Sequence, residues 1–241
     1  MILNINKPLG LTSFDVVNYI KKSTSIKKVG HAGTLDPMAT GVLIVGVGRD
    51  STKKLHFITS EGKEYIADIV LGAETDTLDR EGKILKINNK NKRLTLKELL
   101  EVVKSFEGEI EQFPPLFSAI HYKGKRLYKI AASNSQEKIK IPSRIVNIKK
   151  IELISHSLEA PLFPKIKIKV TCSKGTYIRS LARDIGDALK TKAFLGSLVR
   201  TKVGNYKLED SLSLESAPLK KLSLFAMKRN GKPMSFVSDM S

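Results

Sequence analysis

The chain has 241 residues, 41% apolar and 27% charged, which is enough apolar content for a sizeable core. Lys and Arg number 42 against 24 Asp and Glu, a formal net charge of +18 that points to a polyanionic partner, nucleic acid ahead of anionic membrane. Cys172 is the only cysteine and His31, His56, His121 and His156 are scattered, which excludes an internal disulfide and argues against a zinc site, so no metal is expected.

The first residues, Met1 to Pro8, read as a strand that starts at once rather than as a charged leader and apolar h-region. No segment approaches the roughly 18–20 apolar residues of a membrane span. A cytoplasmic protein with no membrane association is expected. Ile2 to Ile5 forms the first strand. Thr12, with Asp15 three residues on, caps a helix carrying Phe14, Val17 and Ile20 on one face. A polar, Gly-rich stretch from Gly30 to Gly41 follows, then the buried-strand run Val42 to Val47. Lys63 to Leu71 alternates, with Tyr65, Ala67, Ile69 and Leu71 on one face.

Gly72 to Gly82 is turn-rich. Thr95 and Glu98 make a capping box for an amphipathic helix with Leu96, Leu99, Leu100, Val103 and Phe106. Pro114-Pro115 stops the next strand, and Lys123 to Lys140 reads as an exposed basic excursion. Asn147 to Leu153 and Lys165 to Cys172 form a strand pair, the latter alternating Ile166, Ile168, Val170 and Cys172. Ile178, Leu181, Ala182, Ile185 and Leu189 have helical spacing, and Phe194 to Val203 is a last strand. Strands that follow strands directly predict an α/β (α+β) fold with a mixed, largely antiparallel sheet flanked by helices. Neither a G-x-G-x-x-G turn nor a P-loop is present, so no nucleotide cofactor is expected.

Four segments carry candidate chemistry. In Gly30 to Gly41, three glycines let backbone approach a ligand, and Pro37 biases Asp36 toward an extended conformation. An Asp-Pro in a loop is most often only a turn. Tyr65 is either core or a platform for an unstacked base. Tyr177 and Arg179 fall in the first turn of a helix, where a cation opposes the helix dipole unless a carboxylate meets it. Residues 114 to 128 interleave cations and aromatics, as suits a phosphate backbone and stacked bases, or simply a solvated basic hairpin.

In this order, Lys7-Pro8-Leu9-Gly10-Leu11-Thr12-Ser13, Gly30-His31-x-Gly-Thr-Leu-Asp36-Pro37, Lys63-Glu64-Tyr65, Leu71-Gly72 with Thr75-Asp76-Thr77, Pro114-Pro115, Gly175-Thr176-Tyr177-Ile178-Arg179 and Leu198-x-Arg200-Thr201 resemble the TruB family of pseudouridine synthases. The resemblance runs from Asn6 to about Tyr206 and implies the pseudouridine synthase fold. It implies that a tRNA T-loop uridine is the substrate. No cofactor, no guide RNA and a monomer are expected with it. It implies Asp36 as the nucleophile and Tyr65 as the ring that stacks on the flipped uracil. Tyr177 becomes a second tyrosine at the base, suited to proton transfer, and Arg179 the partner of the catalytic carboxylate. His31 assists flipping, Leu198 lines the uracil site, and Lys7 supports the floor of the site. Residues 36, 65, 177 and 179 should then converge around a uracil-sized pocket. Ala32, His121 and Ala132 depart from the family pattern, the last two in the RNA-gripping excursion. A catalytic domain over 1–210, with an insertion at about 112–145, and a short extension over 211–241 are expected. The rival reading is a non-catalytic RNA-folding protein on the same scaffold.

Overall fold

The computed structural model describes residues 1–88, 94–118, 120–122, 125–127, 130, 141–160 and 162–214. In chain order its elements are β1 (Ile2–Lys7), α1 (Ser13–Thr24), β2 (Val29–Ala32), β3 (Ala39–Val47), α2 (Arg49–Ser60), β4 (Lys63–Leu71), β5 (Ala73–Thr75), β6 (Ile84–Ile87), α3 (Leu96–Ser105), β7 (Gly108–Gln112), β8 (His121–Tyr122), β9 (Lys125–Arg126), β10 (Arg144–Ser157), β11 (Lys165–Cys172), α4 (Ile178–Ala188), β12 (Ala193–Val203), β13 (Tyr206–Lys207) and β14 (Leu212–Ser213). The described residues form two compact units: Met1–Glu61 with Val199–Leu214, and the described part of Gly62–Leu198.

In the first unit β1 runs antiparallel to β3, with Ile5 opposite Leu43, and parallel to β14, with Ile5 opposite Leu212. Strand β2 lies antiparallel on β3 with Gly30 opposite Gly46. Ala32, Val42, Ile44, Leu55 and Val203 make one buried cluster. The predicted capping box of α1 is present: Thr12 Oγ1 accepts from the Asp15 amide, and the Asp15 carboxylate accepts from the Thr12 amide. Val16, Val17 and Ile20 form its buried face, whereas Phe14, expected on that face, is 60% exposed. Helix α2 and strand β2 went unpredicted, as did the short strands β5, β6, β13 and β14. Helix α2 buries only Leu55 and begins at Gly48 without a side-chain cap, so it carries neither an apolar stripe nor a start signal. Strand β2 lies within the Gly-rich stretch that reads as loop.

The second unit carries antiparallel ladders between β4 and β11, β11 and β10, and β10 and β7. Tyr65 pairs with Val170, and Ile166 with Ile69, so the predicted alternating faces of the two strands coincide. Helix α3 has its expected capping box, with Leu99 and Val103 buried. Leu96 and Leu100 stay exposed at 44% and 46%, because the buried stripe is narrower than the apolar one. Helix α4 buries Ile178, Leu181, Ala182 and Ile185, as their spacing predicts. Most of the basic excursion, including Ala132, lies outside the described residues. No described helix is long and apolar enough to cross a membrane.

Gly186 lets α4 meet the start of β12. A Cβ there would stand 2.5 Å from the Ala193 amide nitrogen and 2.6 Å from its Cβ. Gly186→Ala is expected to destabilise the fold by about 1–3 kcal/mol, the usual cost of overpacking. Urea melts should show a lower midpoint at unchanged slope.

Candidate active site

The segment that carries Asp36 is held through its main chain. Gly33 and Thr34 carbonyls accept from the Arg200 guanidinium at 3.0 and 3.4 Å. The Leu35 carbonyl accepts from Ser13 Oγ at 3.1 Å, and the Leu35 amide donates to the same oxygen at 2.8 Å. The Asp36 carbonyl accepts from the Ala39 amide at 3.1 Å, and the Pro37 carbonyl accepts from the Gly10 amide at 2.9 Å. Every carbonyl from Gly33 to Pro37 therefore has a donor. Gly33 has φ +81°, a left-handed conformation that glycine adopts without strain.

Two buried cations support this arrangement. The Lys7 ammonium is fully buried and donates to the carbonyls of Pro8 at 2.9 Å, Leu11 at 2.6 Å and Pro37 at 3.4 Å. Burying an ammonium is costly unless its donors are satisfied, and these carbonyls satisfy them. Lys7 thus ties the Pro37 carbonyl of the Asp36 turn to those of Pro8 and Leu11. Arg200 is 1% exposed, and its Nε donates to the Val42 carbonyl at 2.7 Å. His31 precedes the turn at the end of β2. Burial lowers its pKa below the ordinary imidazole value, and the positive charge of Arg200 lowers it further. The ring is therefore neutral at physiological pH.

The second unit holds Tyr65, Tyr177, Arg179 and Leu198. Tyr65 sits on β4, 7% exposed, and Leu198 on β12, 6% exposed. Tyr177 is the N-cap of α4 rather than a residue of its first turn, and it makes no side-chain cap. Fully buried Gln112 substitutes: its Oε1 accepts from the Tyr177 amide at 2.8 Å, and its Nε2 donates to the Tyr177 carbonyl at 3.2 Å. The Arg144 guanidinium lies over the Tyr177 ring, 5.4 Å from its centroid.

Arg179, awkward by sequence at a helix start, has the carboxylate partner its position calls for. Nη1 lies 3.4 Å from Asp79 Oδ2, both side chains 6% exposed. The guanidinium also donates to the carbonyls of Thr77 and Phe117, each at 2.9 Å. Asp79 accepts from Thr77 Oγ1 at 2.6 Å and from the Glu81 amide at 3.0 Å. Before it, Leu78 has φ +62°, a strained value for a residue with a side chain. In the same unit burial pushes the Cys172 thiol up to about 11, so it is inert at neutral pH. Among the described residues no group of three or more His, Cys, Asp and Glu is arranged to hold a metal ion.

Asp36, His31 and Lys7 thus lie in the first unit, and Tyr65, Tyr177, Arg179 and Leu198 in the second. Sequence reasoning missed four residues that organise them: Ser13, Asp79, Gln112 and Arg200. Ser13 and Arg200 stand in segments that carry the family resemblance, and the cation of α4 called for a carboxylate, so Gln112 is the one without a signal.

A model of the TruB family pseudouridylate synthase N-terminal domain matches residues 21–178. The chain belongs to the TruB family. It is 50% identical over 214 residues to the tRNA pseudouridine synthase B of Clostridium tetani, covering 89% of this chain and 71% of that one. Against the tRNA pseudouridine synthase B of Phocaeicola vulgatus it is 45% identical over 223 residues, covering 90% and 91%. Among solved structures it is similar to a chain of a Cbf5–Nop10–Gar1 complex, with TM-score 0.65 and 30% identity, covering 89% of this chain and 52% of that one. A chain of an H/ACA RNP bound to a substrate RNA containing 2′-deoxyuridine gives TM-score 0.66 and 27% identity, covering 94% and 54%. The TruB chain described here spans about half the length of those two. The pseudouridine synthase fold expected from the sequence is borne out.

Removing one partner of a buried ion pair strands the other charge, at a typical cost of about 3–5 kcal/mol. Asp79→Ala is expected to fall near the lower end, because two carbonyls still hold Arg179. Denaturant melts of the two chains side by side measure it.

Proposed function

We propose that this protein is a tRNA pseudouridine synthase that isomerises the T-loop uridine at position 55, acting as a monomer without guide RNA. The observation that carries the reading is the Asp36 turn. A carboxylate on a segment whose consecutive carbonyls are all bonded is aimed in advance, as a group that must strike one atom needs to be. The curated relatives named tRNA pseudouridine synthase B supply the substrate class. The net charge of +18 supports a polyanionic partner.

The chemistry asks for little beyond placement. The target uracil leaves its stack at a cost of a few kcal/mol. Stacking on Tyr65 returns about 1–3 kcal/mol of that. Neutral His31 assists the extrusion and Leu198 lines the base. Asp36, ionised, acts on the ribose so that the N1–C1′ bond breaks. The base turns, and C5 bonds to C1′. C5 loses a proton and N1 gains one, with Tyr177 as the transfer group. Atoms and electrons balance without an oxidant, reductant or phosphate donor. Arg179 supplies the positive charge that keeps the reacting carboxylate ionised.

Incubation with unmodified tRNA transcript, followed by carbodiimide mapping, is expected to show one modified position, in the T-loop. Asp36→Asn is expected to abolish product while tRNA affinity stays within about threefold, the pattern of a group used only in the transition state. Turnover near wild type in that variant would refute the nucleophile. Binding should weaken with salt, log affinity falling about 0.7–0.9 per phosphate contact per log unit.

A further inference from the structure

We infer that Arg200 and Ser13 are positioning residues for Asp36, clamping its turn from two sides so that the carboxylate is aimed before substrate arrives. The inference rests on the reading of Asp36 as the nucleophile and adds residues to which no role in the reaction is yet assigned.

Arg200 is an expensive way to fill a core. A guanidinium buried to 1% exposure pays a desolvation cost that a methionine of similar reach would not. Its hydrogen bonds go to main-chain carbonyls, those of Val42, Thr34 and Gly33. These acceptors lie at the two ends of one loop. Gly33 and Thr34 lead into the Asp36 turn, and Val42 leaves it on β3. One rigid fork therefore staples entry to exit, and a planar guanidinium fixes the separation of the two in a way a flexible side chain does not.

The neighbouring backbone is cut to the same purpose. Gly41 has φ +102°, and a Cβ there would collide with the Arg200 carbonyl, so the absent side chain lets β12 close on the loop's exit. From the other side Ser13 Oγ bonds both the amide and the carbonyl of Leu35, the residue before Asp36. Ser13 is 2% exposed and is the first residue of α1, fixed by the Thr12 capping box. Burial and then the charge of Arg200 lower the His31 pKa, so the guanidinium is felt at the end of β2 as well. A residue that only stabilised the fold would have no need to divide its donors between the two ends of the loop that carries the nucleophile.

The experiment compares wild type, Arg200→Lys, Ser13→Ala and Asp36→Asn in single-turnover pseudouridine formation with saturating enzyme. Melting curves and tRNA binding are measured for each chain. Lysine keeps the charge but not the fork, and alanine removes both bonds to Leu35. The expected result is a single-turnover rate lowered about 10- to 100-fold in Arg200→Lys and in Ser13→Ala, the scale of an ångström-level misplacement, and no product from Asp36→Asn. Both chains should be folded at the assay temperature, with affinity unchanged. Wild-type rate in folded Arg200→Lys overturns the role of Arg200, and so does a chain that fails to fold, which would make the residue a core support. Affinity lost in step with rate overturns the inference for either residue. A wild-type chain that makes no product, or an active Asp36→Asn, sinks the nucleophile itself, a failure distinct from these.

Discussion

Satisfying buried positive charge with main-chain carbonyls is the constraint on which the first unit depends. Lys7 and Arg200 are both fully withdrawn from water, and each is repaid by oxygens of the loops that surround Asp36. Neither cation can be satisfied unless those loops adopt one conformation. The cost of desolvation is thereby turned into conformational selection of the turn, because any other path would leave a charge without acceptors.

The second unit uses the opposite device. Arg179 meets a carboxylate, Asp79, in addition to carbonyls. That pairing fixes the side chain at the start of α4, where the helix dipole alone would repel it. Tyr177, two residues earlier, is fixed through its backbone by Gln112. Both units spend buried polar groups on orientation at the residues where the sequence places chemistry, while aliphatic side chains make up most of their interiors.

Much of this was legible beforehand. The capping boxes of α1 and α3, the alternation of β4 and β11 and the spacing of α4 are local signals, and each element stands where its signal puts it. Phe14 misled because the buried arc of α1 is offset from it, which only the packing of the helix decides. Helix α2 gave no stripe to read, with one buried leucine in 12 residues. The site divides in the same way. Asp36, Tyr65, Tyr177 and Arg179 stand out through motif and position. Asp79, Gln112, Ser13 and Arg200 act across 22 to 167 residues of chain, and in one sequence such long-range partners look like any other polar residue.

Strand β12 carries one further lesson. Leu198 and Arg200 are two residues apart on it, both buried, and so project from the same side of the strand. Because side chains alternate with a period of two, inserting or deleting a single residue between Ala193 and Leu198 would move the leucine and the arginine to the opposite face together. Length variation among relatives should therefore collect in the turns at either end of this strand, and its eleven residues should persist as an unbroken block.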